Sequence, residues 1–485
     1  MSSPSTTAAV SRAQETARLF RTHIRVWDVF LGLLVIAAVA AFAGFQRPLW
    51  IDEVLHFATG AMSFSDVLRT VDYTTIEINH GQTGAYILLD WLLLQIFGAS
   101  AFALRLPSLI ASGILLWSCI LFIRDRHLGR FWEAFVVVTL LSHYMLMVFT
   151  ADARPYMPLA ASAVAMIAYF ATPLDRRKTP AYRILGFAGV VVGSLMQAYW
   201  IFFLFLALSF GLFVQYLQGR RWQNSRQFIA SLSPRLVGSG VVLYVVVGQL
   251  TWMRRTAQFN YEPFEMIGGP GRAVQVFWSH HVTTQVPAPW WLALAILTVV
   301  ALLLVRRMWR AWLSPVVLLG LALVSSIGLS VLSISRGYWL FDRQWVAGMA
   351  LSAVALTWLF AELWRVSGGA FIVRRVAVGG FVLFTAWGAI QSVTNVFLAT
   401  QVWAEQQETF TSELAERPEL FRDLSDQQVV YAANVNLVRG GPVWPEFTEW
   451  YRGQAGMRPE FREENPSWTT QLFGPDNWSP VTSTG

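Results

Sequence analysis
The chain has 485 residues, of which 55% are hydrophobic and 13% charged, with a formal net charge of +7. A soluble domain carries about 25% charged residues, so this composition excludes a soluble enzyme and points to a polytopic membrane protein. The single cysteine, Cys119, lies in an apolar run, which excludes a disulfide framework and a thiolate metal site. Residues 400–485 hold 13 Asp+Glu against 6 Lys+Arg, so the basic excess sits in the membrane part. There it speaks of topology and anionic lipid headgroups, not of nucleic acid.

In chain order, residues 1–25 form a short leader with Arg12, Arg18, Arg21 and Arg25, and the first apolar span covers 26–44. AFAG at 41–44 resembles a signal cleavage site, yet the run exceeds the usual h-region of about 7–15 residues, so an uncleaved helix is expected. Further spans of membrane-crossing length follow at 102–123, 131–149, 155–172, 184–200, 201–217, 237–253, 290–305, 315–335, 345–364 and 376–399. These give about eleven transmembrane helices.

One more apolar stretch, GAYILLDWLLLQIFG at 84–98, decides the topology. It carries Asp90 in its middle and falls short of the ~20 residues needed to cross. If it crossed, the Arg-rich loops after 123, 172 and 305 would lie outside. The positive-inside rule therefore makes it an interfacial helix on the outer surface. RDRHLGR (124–130), DRRKTPAYR (175–183) and RRMWR (306–310) then face the cytoplasm. The outer side receives 47–100, TADARPYM (150–157), the long loop 254–289, RGYWLFDRQ (336–344) and the tail. In the tail, 403–417 is expected to be a helix and QQVVYAANVNL (427–437) a buried strand, giving 400–485 the character of a small extracytoplasmic α/β domain or cap. The expected fold is an all-α polytopic membrane domain over 26–399, with interfacial helices in the outer loop 45–101.

Within that loop, WIDEVLHFATG (50–60) places Asp52 and Glu53 side by side where the chain leaves the first span. Two adjacent carboxylates at a membrane boundary are costly for a scaffold and suit proton transfer, although a solvated helix end is the bland alternative. Arg154 and Arg343 mark the outer ends of two spans, where arginines also snorkel for structural reasons. His280 and His281 with Glu262 and Glu265 have the residue types of a metal site, but adjacent histidines lack the i, i+4 facing of helical metal ligands. Most outer tryptophans fit an interfacial belt; Trp50 and Trp339 adjoin the motifs closely enough to stack on a sugar. No Gly-rich phosphate loop of the nucleotide-binding kind occurs.

The order WIDE, NHGQTGAYILLDWLLLQIFGASAFALRLPS (79–108), TADARPYMPLAASA (150–163) and FDRQW (341–345) resembles the GT-C superfamily of membrane glycosyltransferases. The likeness is to the bacterial polyprenyl-phosphate-dependent branch that includes protein O-mannosyltransferases and the aminoarabinose transferase of lipid A. The sequence departs from it in two places. His80 is followed by Gly81-Gln82 where the family has His-Pro-Pro, and Arg343 by Gln344-Trp345 where it has Arg-Tyr. The resemblance implies an inverting sugar transfer from a polyprenyl-phosphate donor to a hydroxyl of a glycan, lipid or protein at the outer face of the cytoplasmic membrane. By the same likeness Asp52 is the general base, Glu53 holds the acceptor or positions Asp52, and Asp152 orients an arginine or the acceptor. Arg343, Arg154, Arg105, Arg336 and His80 are the implied donor-phosphate ligands. No cofactor is implied, and a divalent metal is not expected. The competing class is a transporter or flippase of a lipid-linked sugar, which would favour inverted repeats and broken mid-membrane helices. A non-catalytic membrane scaffold is a third.

Overall fold
The computed structural model describes residues 53, 56, 64–71, 84–98, 101–173, 176–197, 199–217, 263–264, 267–282, 288–304, 309–335, 340–365 and 371–416. The described elements are helical throughout, with no strand among them: α1 Phe64–Val71, α2 Gly84–Phe97, α3 Ala101–Asp125, α4 Arg130–Leu141, α5 Tyr144–Thr150, α6 Tyr156–Ala171, α7 Pro180–Gly186, α8 Gly193–Met196, α9 Trp200–Leu217, α10 Pro270–Val282, α11 Ala288–Leu304, α12 Trp309–Ser335, α13 Val346–Arg365 and α14 Phe371–Glu416. Five of these helices are long and apolar enough to cross a membrane, and six if the bent pair α4 and α5 counts as one span. The chain is a multi-pass membrane protein. The expected spans at 26–44 and 237–253, and the strand at 427–437, lie outside the described residues.

Two helices form the interior. All but the first residue of α6 are buried, and so is every residue of α13 from Val346 to Leu363. Their alanines, among them Ala160, Ala163, Ala165, Ala350, Ala353 and Ala355, let neighbouring backbones approach, which is how helices gain packing energy where lipid offers no hydrophobic drive. Around them stand α3, α9, α12 and α4. A Cβ on Gly348 would collide with Ser326 Oγ and sit 3.1 Å from His281 Nε2, so α13, α12 and α10 meet there only because the residue is glycine.

Several expected spans take a different form. The stretch 131–149 is not one rod but α4 and α5 bent by 83°. His143 at the break is extended (φ −97°, ψ 99°), and the Ser142 carbonyl freed by the bend accepts from Ser392 Oγ at 2.9 Å. The stretch 184–200 holds a π-helical turn, Phe187–Val192, between α7 and α8. Its Gly189 carbonyl accepts from Ser162 Oγ and Trp200 Nε1, each at 2.7 Å, which compensates for the disturbed helical ladder. The final helix, α14, continues unbroken past the expected boundary at 399/400 to Glu416. Its 46 residues rise about 69 Å, roughly twice the ~30 Å hydrocarbon core, so it projects beyond the membrane.

Helix α2 rises about 21 Å, too short to cross. It buries Tyr86, Ile87, Asp90, Leu93 and Leu94 and exposes Leu92, Ile96 and Phe97. Apolar residues thus lie on both its buried and its exposed sides, while the one charged residue faces inward. Gly98 in the left-handed region (φ 81°) ends it.

Candidate functional site
The polar loops separate to the two ends of the bundle. At one end, Asp125 pairs with Arg176 (3.2 Å) and accepts from Tyr182, Arg124 pairs with Glu133 (2.9 Å), and Arg365 donates to the Arg126 carbonyl. That gathers the arginine-rich loops 124–130 and 175–183. Arg126 stacks on Phe122 and Trp358, and its burial pulls its pKa down to about 10.

The other end holds the acidic motif. Glu53, fully buried, accepts from Arg105 Nε at 2.8 Å and Arg105 Nη2 at 2.7 Å, a bidentate fork, and from the backbone N–H of Ala153 at 2.9 Å. One carboxylate therefore ties together the WIDE segment, the first turns of α3 and the ADARPY loop. Ser108, one turn after Arg105, clamps the same loop by donating to the carbonyls of Asp152 and Arg154. Asp152 and Arg154 are both 6% exposed.

A second buried pair stands beside the first. His56 Nδ1 and Asp90 Oδ2 share a hydrogen bond at 2.7 Å, and the His56 ring meets Tyr86 edge-on at 5.4 Å. Burial pushes the Asp90 carboxyl well above the usual carboxylate range, against an opposing pull from Arg154. Burial also raises the Tyr86 phenol, with Asp90, Asp152 and Glu53 adding to it. The Tyr86 phenol thus feels three carboxylates, which places these groups in one cluster.

Next to it, two guanidinium groups approach the ring of Tyr156. Arg154 lies 5.6 Å from the ring centroid, with Nη2 donating to the phenol oxygen at 3.5 Å, and Arg343 lies 5.8 Å from the same ring. Arg343 stacks on Phe341 at 4.0 Å and lines a pocket with Tyr156, Leu159, Gln197, Tyr199, Phe341 and Gln344. Beyond it, His280 Nε2 stands 3.2 Å from Asp342 Oδ2, while His281 Nδ1 donates to the Phe277 carbonyl and Nε2 meets Ser326 Oγ at 2.7 Å. Burial lowers the His281 pKa to about 3. The two adjacent histidines thus serve different partners, and no group of three metal-ligating side chains is assembled among the described residues.

Of the sequence-derived site residues, the structure brings Glu53, Arg105, Asp152 and Arg154 together and sets Arg343 near the Tyr156 ring that Arg154 also approaches. Arg105, expected on the donor phosphate, spends two nitrogens on Glu53. Asp52, Trp50, His80, Arg336, Trp339, Glu262 and Glu265 lie outside the described residues. Sequence reasoning missed His56 and Tyr156. The signal for His56 was the unpaired look of Asp90 in an apolar run; Tyr156 stood inside ADARPY without a role.

No family model matches the chain, and no curated protein matches it. Two crystal structures of ArnT from Cupriavidus metallidurans are similar in shape. The apo form has 16% identity and a TM-score of 0.49, covering 89% of this chain and 91% of that one. The form bound to undecaprenyl phosphate has 16% identity and a TM-score of 0.43, covering 83% and 81%. Likeness of this degree assigns no residue a role.

Proposed function
We propose that the protein is an inverting glycosyltransferase of the cytoplasmic membrane, moving a sugar from a polyprenyl-phosphate donor to a hydroxyl acceptor at the outer face. The observation that carries this reading is the fork of Glu53 on Arg105 and Ala153, because it joins at one point the three motifs whose order suggested the chemistry. Asp52 adjoins Glu53 in sequence. As general base, Asp52 takes the acceptor proton while the hydroxyl oxygen bonds the anomeric carbon and the C–O bond to phosphate breaks. Arg154 and Arg343 offset the charge that grows on the leaving phosphate, for which the planar guanidinium is suited. Glu53, neutralised by Arg105, positions the loop that carries Asp52. The pocket between Arg343, Tyr156 and Tyr199 supplies cationic and aromatic surface for the phosphate and the first part of a lipid. A monophosphate leaving group handled by arginines needs no metal in this scheme.

The test separates transferase from flippase. Purified protein in proteoliposomes containing a lipid-linked sugar and an envelope acceptor extract should release free polyprenyl phosphate as the acceptor gains sugar. Movement of the intact lipid-linked sugar across the bilayer, without release, would replace this reading by the transporter.

A further inference from the structure
Asp90 is the one charged residue in a helix that otherwise suits lipid, and neither the transfer chemistry nor the membrane requires it. Its helix α2 exposes Leu92, Ile96 and Phe97 and turns Asp90 inward, with its side chain fully enclosed. Burying a carboxylate is expensive unless a partner is positioned for it. The partner is His56, three residues after Glu53 in the WIDEVLH segment, at 2.7 Å and equally buried. Two residues of the segment are consequently tied down: Glu53 to Arg105 of α3 and Ala153, and His56 to Asp90 of α2. A single attachment leaves a loop free to pivot about it. Two attachments to different helices fix its orientation as well as its place.

We infer that His56 and Asp90 are a positioning pair, through which the short helix α2 holds the chain next to Glu53 and so supports the transfer chemistry proposed for Asp52. The inference rests on the proposed transfer reaction for its kinetic consequence but not for its structural one. The groups around the pair act with it. Tyr86 packs edge-on against the imidazole, Arg154 draws on the Asp90 charge from the ADARPY loop, and Asp152 and Glu53 act on Tyr86. α1 braces the outer side of α2 through Phe64 on Trp91 at 4.8 Å. Neither member of the pair touches substrate in this account.

Two readouts test it, with all variants made in the full-length protein. In steady-state transfer, Asp90→Leu should lower kcat by about 10- to 100-fold, the usual cost of losing a group that orients a reacting residue, with donor KM within about threefold. Asp90→Asn retains a polar group that hydrogen-bonds His56 Nδ1 as donor or acceptor and should stay within about fivefold of the parent. The exchange His56→Asp with Asp90→His should recover most of what either single change loses. In the second readout, Val54→Cys in a Cys119→Ala background is treated with a small maleimide. Asp90→Leu should speed labelling by about tenfold as the segment loosens. Unchanged kcat and labelling in Asp90→Leu would overturn the pair, as would Asp90→Asn proving as poor as Asp90→Leu. If the parent protein shows no transfer, the proposed function falls instead, and the labelling rate alone decides the positioning role.

Discussion
The Glu53–Arg105 fork predicts a specific pattern of stability changes. Glu53 is fully buried and Arg105 is 3% exposed, so replacing either partner leaves an uncompensated charge away from water. Glu53→Met and Arg105→Met should each cost about 3–5 kcal/mol. The double variant removes both charges together and leaves chiefly the Ala153 N–H without its acceptor, a loss of about 1–3 kcal/mol. Independent effects would instead sum to about 6–10 kcal/mol, so the double-variant cycle has a wide window in which to decide. Reversible unfolding in mixed SDS and nonionic micelles, followed by tryptophan fluorescence, gives all three free energies. A double variant whose cost equals the sum of the singles within about 0.5 kcal/mol would show that the fork does not couple the WIDE segment to α3.

Three further predictions concern topology, acid stability and metal. In the Cys119→Ala background, cysteine at position 175 should be shielded from an impermeant thiol reagent in intact cells and cysteine at Gln275 should label; labelling at 175 would reverse the sidedness. His281 holds its folded pKa near 3, below the unfolded value of about 6.5, so its stabilisation is present above that unfolded value and is lost as pH falls from about 6.5 towards 3. Between pH 7 and pH 5 the protein should lose about 2 kcal/mol that His281→Gln does not lose, and identical pH profiles for the two would refute the assignment. Transfer should survive EDTA; complete loss restored by a divalent ion would return His280 and His281 to the site.

Hydropathy exposed the helices because a membrane-spanning helix needs an uninterrupted apolar run: the expected 102–123 became Ala101–Asp125, and 345–364 became Val346–Arg365. It missed the 83° bend at Ser142-His143, since a polar pair inside an apolar run looks the same straight or broken. The boundary at 399/400 was placed where apolar character fades, whereas the backbone continues as helix to Glu416 because Gln, Glu and Ala sustain it. In the site, motif order singled out the WIDE segment, the start of α3 and the ADARPY loop, which the structure joins, but Glu53–Arg105 spans 52 residues and His56–Asp90 spans 34. Partners at such separations are chosen by the packing of α2, α3 and the ADARPY loop, which no local pattern encodes. Asp90 showed its burial cost in the sequence; the imidazole that offsets it did not.

The central claim is tested most directly by single-turnover transfer with Asp52→Asn and Arg343→Ala, using purified protein and a radiolabelled polyprenyl-phosphate sugar. Asp52→Asn keeps size and hydrogen bonding but loses the proton-accepting charge, so the rate should fall by about 10²- to 10⁴-fold with donor binding retained. Arg343→Ala should weaken donor binding as well as the rate, since the cation meets the phosphate in ground and transition states alike. Near-normal turnover by Asp52→Asn would contradict the account.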